Sequence, residues 1–230
     1  VKRDEETKNM VFLTALSAYT SEPINLFLRG ESSIGKTYNV VETLKYFPED
    51  DVWLLGGLSP TALVHSRGVL VDENGEEIDL AKKPMRPRKS DYDDTTAYRE
   101  ALRDYMEQNE RWIERLKNSR YLVDLSKKIL VFLEAPNLET FNMLRPILSH
   151  DSWRISYKFT DKSGKGQLQT RHVIIQGWPA TIFCTTEEKY IKDLATRGFT
   201  VTPEMSTEKY KAANKLTAEK AAFPLSLIHI

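Results

Sequence analysis

The chain has 230 residues, 40% hydrophobic and 29% charged, and its 33 basic side chains balance 33 acidic ones. That length suits one large α/β domain with its own core, while the zero net charge excludes a globally basic polyanion binder, so any nucleic-acid surface must be a local patch. A single cysteine, Cys184, excludes an internal disulfide and a multi-cysteine zinc site, and no apolar run approaches the ~20 residues of a membrane span, so the chain reads as soluble and cytoplasmic.

Residues 5 to 19 place Met10, Leu13, Leu16 and Ala18 at near-helical spacing before Ser21-Glu-Pro23 breaks the pattern. Ile24-Asn-Leu-Phe-Leu28 is a short apolar run, and it ends at Gly30-Glu31-Ser32-Ser33-Ile34-Gly35-Lys36-Thr37. From Thr37 to Phe47, Val40, Val41, Leu44 and Phe47 share one helical face, so this stretch predicts strand, glycine loop, helix. Val52-Trp-Leu-Leu55 reads as the next strand. Val69–Val71 and Glu77–Leu80 flank an Asn74-Gly75 turn and predict a small β-hairpin, followed by a basic, proline-punctuated stretch from 82 to 90. Asp91 to Ser119 predicts a long charged helix with Tyr98, Leu102, Tyr105, Trp112, Ile113 and Leu116 on one stripe.

Ile129–Leu133 is a continuous apolar run closed by Glu134, as expected of a strand buried on both faces of a parallel sheet. Between Trp153 and Gln176 two alternating runs, Ile155/Tyr157/Phe159 and Val173/Ile175, flank Asp161-Lys-Ser-Gly-Lys-Gly166 and predict a hairpin with a basic tip. Ala180–Cys184 and Phe199–Thr202 read as further strands with a helix from Glu187 to Ala195 between them. The chain opens at Val1 rather than Met and reads as a fragment. Its last six residues, 225 to 230, are similar to a translated transposon-end adaptor of sequencing libraries and read as a non-native tail; the alternative is a short apolar strand. The expected organisation is one domain over 1–224, with an insertion from about 57 to 123.

The Gly-x-x-x-x-Gly-Lys-Thr spacing lets backbone N–H groups curl around phosphates, with Lys36 reaching the β/γ oxygens and Thr37 binding Mg²⁺; the alternative is a turn with a surface lysine. Glu134, at a strand end, stands where an acid would hold Mg²⁺ or orient water, unless it merely closes the strand. The nearest second acid is Asp124, which reads more readily as a turn or capping residue. Lys158, Lys162, Lys165 and Arg171 concentrate charge near the hairpin tip, enough for phosphate contacts but with no base-reading pattern; alone it reads better as a solvated hairpin.

Taken together, the P-loop, the acid-ended strand, the basic hairpin, the polar-ended strand at Thr185-Thr186, and Leu194-Ala-Thr-Arg197-Gly-Phe-Thr-Val resemble the AAA+ ATPase core over about residues 24 to 203. The order is most similar to the superfamily-3 helicases of viruses and plasmids and to the minichromosome-maintenance helicases. Asp124-Leu-Ser-Lys-Lys-Ile-Leu-Val-Phe-Leu-Glu134 is similar to the superfamily-3 stretch that leads into its acid, with Lys127 in place of the usual glycine. The resemblance implies a P-loop three-layer sandwich whose five-stranded, mainly parallel sheet has the order 5-1-4-3-2, with a hairpin-plus-long-helix insertion and a basic hairpin before the sensor strand.

It also implies ATP and Mg²⁺ as cofactors, nucleotide contacts along Gly30, Glu31, Ser32, Ser33, Ile34, Gly35, Lys36 and Thr37, and metal at Thr37 and Glu134. Glu134 is then the Walker B acid, Thr185 or Thr186 sensor 1, Arg197 an arginine finger, and Lys162 and Lys165 contacts to single-stranded DNA. The expected protein is the ATPase motor of a mobile-element DNA replication protein, a helicase or translocase. It would form a hexameric ring with itself and have a primase or zinc-finger domain outside this stretch as a further partner. An ATP-dependent assembly switch such as a helicase loader, and a P-loop kinase, are the alternatives.

Overall fold

The computed structural model describes residues 3–31, 34–56, 59–134, 136–161, 169–184 and 198–222. In chain order the elements are α1 (Glu5–Ser17), β1 (Asn25–Leu28), α2 (Lys36–Leu44), β2 (Val52–Leu55), α3 (Pro60–Arg67), β3 (Val69–Val71), α4 (Thr95–Lys117) and β4 (Arg120–Asp124). There follow β5 (Ile129–Phe132), α5 (Leu138–Leu148), β6 (Arg154–Asp161), β7 (Gln169–Gln176), β8 (Ala180–Phe183), β9 (Gly198–Val201) and α6 (Thr207–Ala222). The chain gathers into two compact units: the first takes 1–60, 125–153 and 177–230, the second 61–124 and 154–176.

The first unit is built on a five-stranded sheet in the order β2-β5-β8-β1-β9, every neighbouring pair parallel. Its three inner strands, Asn25–Leu28, Ile129–Phe132 and Ala180–Phe183, are buried at every position, which is why β5 reads as an unbroken apolar run and β1 and β8 are apolar but for Asn25 and Thr181. The edge strands β2 and β9 each expose part of their length. On one face Leu26, Leu28, Ile129, Val131, Ala180 and Ile182 pack with Val11 and Ala15 of α1 and Val40 and Leu44 of α2. Because side chains alternate along a strand, the other face presents Phe27, Phe132 and Phe183, whose rings stack at 4.7–4.9 Å. That face also buries Asn25, which donates to the Leu148 carbonyl at the end of α5 at 2.9 Å and accepts from the Thr181 hydroxyl. Helices thus contact both faces of a parallel sheet, an α/β arrangement compatible with a three-layer P-loop fold.

The second unit carries a four-stranded sheet in the order β3-β4-β7-β6. The expected hairpin between Trp153 and Gln176 forms, as β6 and β7 pair antiparallel from Arg154↔Gln176 to Asp161↔Gln169. Its tip, 162–168, lies outside the described residues. Strand β7 is an inner strand, since β4 pairs with it in parallel from Tyr121↔Val173 to Asp124↔Gln176, and its Val173, Ile174 and Ile175 are all buried.

The expected hairpin over 69–80 forms as a short one: the antiparallel bridge Val71↔Glu77 is flanked by backbone bonds from the Ile78 N–H to the Leu70 carbonyl at 2.8 Å and from the Asp72 N–H to the Glu76 carbonyl at 2.9 Å. On its other edge β3 pairs antiparallel with β4, a partner the local pattern does not show. A side chain reinforces the turn: the Asp72 carboxylate accepts from the Asn74 and Glu76 amides at 3.0 Å and pairs with Arg115 of α4 at 2.7 Å. Helix α4 starts four residues later than the charge pattern suggests, where Asp94 accepts from the Thr96 and Ala97 amides as its N-cap. Trp112 is its one buried side chain, so the remaining stripe positions are at least partly open to water. Among the described residues, no helix is long and apolar enough to cross a membrane.

Candidate functional site

Strand β1 ends at Leu28, and the chain then departs from the sheet edge through Arg29, whose N–H donates to the Val201 carbonyl of β9 at 2.9 Å. Gly30 has φ +129°, and a Cβ there would lie 2.2 Å from Cδ1 of buried Ile34, so the loop can close on itself only with glycine at this point. Gly35, at φ +90°, is the N-cap of α2 and supplies no capping side chain. The first-turn N–H groups of that helix are therefore left for an external acceptor, the situation that makes a helix start an anion site.

Lys36 opens the helix and is buried, with Nζ donating to the carbonyls of Gly30 and Glu31 at 2.6 and 2.7 Å. The sequence-predicted loop thus brings the Gly30 and Glu31 carbonyls together around the Lys36 ammonium group, and packs Ile34 against Gly30. Thr37 is exposed beside it on α2, and Ser32 and Ser33 lie outside the described residues. Two positive-φ glycines, a lysine whose partners are replaceable carbonyls, and an uncapped helix start fit a polyphosphate group with its Mg²⁺.

Cys184, the residue after β8, is also buried, and burial pushes its thiol up to about 12, the nearby Lys36 charge acting in the opposite direction. That electrostatic reach puts the end of β8 close to the loop lysine. Thr185, Thr186 and Arg197 lie outside the described residues, as do Lys162, Lys165 and the helix expected over Glu187–Ala195. Glu134 is exposed, two residues past β5. Since β1, β8 and β5 are parallel neighbours in that order, Glu134 and the loop share the C-terminal edge of the sheet, two strand spacings or roughly 10 Å apart along it. Asp124 is neither a turn nor a helix cap: it ends β4 in the second unit's sheet and accepts from Gln176 Nε2 at 3.2 Å.

Beside the loop lies a cluster that sequence reasoning missed. Asp4 precedes α1 with φ +61°, and its carboxylate caps nothing in that helix. One oxygen accepts from Asn39 Nδ2 of α2 at 2.8 Å and pairs with Lys209 Nζ of α6 at 2.5 Å; the other accepts from the Glu204 amide at 2.8 Å. Lys209 also donates to the carbonyls of Ile34 and Glu204, each at 2.9 Å. Burial alone would raise the Asp4 pKa, but the hydrogen bonds from Lys209, Asn39 and the Glu204 amide outweigh it and hold the group below its ordinary 3.8. An aspartate just before a helix reads as an N-cap, and a lysine in a charged helix reads as solvated, so neither carried a signal.

Compared with known families and curated proteins, the sequence matches no family model and no curated protein.

Proposed function

We propose that this chain is the ATP-hydrolysing motor domain of an AAA+ type DNA replication protein from a mobile element, acting as a helicase or translocase. The observation that carries the reading is the strand–loop–helix from β1 to α2, with buried Lys36 opening an uncapped helix at the C-terminal edge of a parallel sheet. Numbered in chain order, the five strands of that sheet run 5-1-4-3-2 from the β9 edge, which supports the AAA+ reading over other P-loop arrangements. When bound, ATP with Mg²⁺ supplies the phosphoanhydride that is cleaved. Lys36 and the first-turn amides of α2 bind its phosphates, Thr37 and Glu134 hold the metal, and Glu134 orients water.

In this reading Thr185 or Thr186, next in the chain after Cys184, serves as the polar sensor, while Arg197 completes the site of a neighbouring subunit in a hexameric ring. Lys162 and Lys165, at the tip of the β6–β7 hairpin, touch the single-stranded DNA backbone. The test is ATP turnover with and without single-stranded DNA: stimulation by DNA is expected, and turnover indifferent to DNA removes the motor. The lone acid at 134, with Leu133 before it, favours one second reading, an assembly switch such as a helicase loader that binds ATP and hydrolyses it slowly whether or not DNA is present.

A further inference from the structure

Helix α6 runs for 16 residues, yet among its described side chains Lys209 alone is buried. A mostly exposed helix held at its first turn by a buried ammonium is an unusual way to fasten secondary structure, since burying a lysine is costly unless every proton is matched. Here all three are matched, to Asp4 Oδ2, Glu204 O and Ile34 O. Two of those acceptors explain how α6 is anchored. The third belongs to the glycine loop, and anchoring does not require it.

Ile34 and Gly35 are joined by a planar trans peptide, so the Ile34 carbonyl and the Gly35 N–H point in opposite directions. Gly35 has a φ of +90° and no side chain, so without an outside restraint this peptide plane can rotate at little steric cost. The ammonium on the Ile34 oxygen supplies the restraint and turns the Gly35 N–H away from Lys209. A Cβ on Gly35 would stand 4.0 Å from Lys209 Nζ and 3.9 Å from Asn39 Nδ2, which shows how closely the cluster backs this residue.

We propose that Lys209, held in place by Asp4, is a positioning residue for the phosphate site: it locks the Ile34–Gly35 peptide so that the Gly35 N–H is presented as a ready donor to a nucleotide phosphate. The charged donor on the carbonyl also polarises the peptide and strengthens that N–H. This inference rests on the P-loop reading. It goes beyond that reading in giving a residue 175 positions away from Ile34 of the loop a part in phosphate affinity.

Lys209→Met alone strands a buried carboxylate and can fail to fold, so the deciding protein is the double variant Asp4→Asn with Lys209→Met. It keeps an acceptor oxygen for the Glu204 amide and turns an NH₂ group toward Asn39, whose amide can rotate to accept with its Oδ1, while both charges and the donor to Ile34 are removed. Calorimetric titration with MgATP and MgADP is expected to show wild-type binding and a loss of about 10- to 100-fold in the folded double variant, the worth of one hydrogen bond to a charged group. In the ligand-free protein the Gly35 amide resonance should shift or broaden while amides of β1 and β8 keep their positions, a change that simple loss of α6 anchoring does not cause. Lys209→Arg, which keeps a charged donor, should retain most of the affinity. Unchanged affinity and an unmoved Gly35 amide in the double variant overturn the proposal and leave the P-loop standing. Wild-type protein that binds neither nucleotide overturns the phosphate site and the proposal together.

Discussion

The ammonium of Lys36 lies 2.6 Å from the carbonyl oxygen of Gly30, so the lysine of the glycine loop is folded onto its own backbone. Phosphate oxygens can replace that carbonyl with a stronger, charge-assisted partner at little rearrangement. Lys36→Ala is therefore expected to lower MgATP affinity by about 10- to 100-fold or more and to abolish turnover, with little change in melting temperature because the lost bonds are local. Calorimetry and a phosphate-release assay check this. Normal affinity with normal turnover would remove the loop from the site.

Glu134→Gln keeps the shape of the side chain and removes its charge. If Glu134 orients the attacking water, ATP stays bound while hydrolysis slows by about 10²–10⁴-fold, the usual worth of a positioned acid or base. Single-turnover kinetics separate the two steps. Wild-type hydrolysis in this variant moves the acid elsewhere.

For the hairpin, Lys162→Ala with Lys165→Ala should weaken single-stranded DNA binding equally for all sequences. The slope of log affinity against log salt should flatten by up to about two phosphate contacts, roughly 0.7 each for a single strand. ATP affinity should stay as it was. A slope identical to that of the wild type returns the hairpin to an ordinary solvated one.

The Asp4–Lys209 pair predicts a pH dependence with a definite sign. The Asp4 pKa is depressed in the folded chain, so its contribution to stability is complete above the unfolded value near 3.8 and is lost as pH falls through the lower folded value. Asp4→Asn should destabilise the protein by about 3–5 kcal/mol at neutral pH, because it leaves a buried ammonium unpaired, and should flatten the acid limb below about pH 4. Denaturant melts across that range decide it. An acid limb as steep as the wild type's would mean that other carboxylates carry the transition.

Cys184 offers a test of the core beside the loop. With its thiol near 12, the thiolate fraction at pH 8 is roughly one in 10⁴, and the side chain is buried as well. A thiol reagent should therefore modify the folded protein very slowly and the denatured chain rapidly. Rapid modification of the folded protein at pH 8 would show that the end of β8 is open to solvent.

The parts that could be read from the chain are those whose physics is short in range. The loop from Gly30 to Thr37 depends on glycines and a helix start within eight residues, and the unbroken apolar run of β5 records burial on both faces, as do the mainly apolar β1 and β8. The β6–β7 hairpin was legible because two alternating runs sit in one stretch of sequence on either side of a segment rich in glycine and lysine. Pairings between distant segments left no such mark. Nothing in Tyr121–Asp124 says that it pairs in parallel with Val173–Gln176, and the local pattern around the Asn74-Gly75 turn, which shows the short hairpin, cannot reveal that β4 takes the other edge of β3. Asp4 and Lys209 are 205 positions apart, and each has an ordinary local role available to it, as an N-cap or as a solvated helix lysine. Only folding decides between those roles, because the cost of burying each charge is recovered when the other, with Asn39, Glu204 and Ile34, arrives to match it.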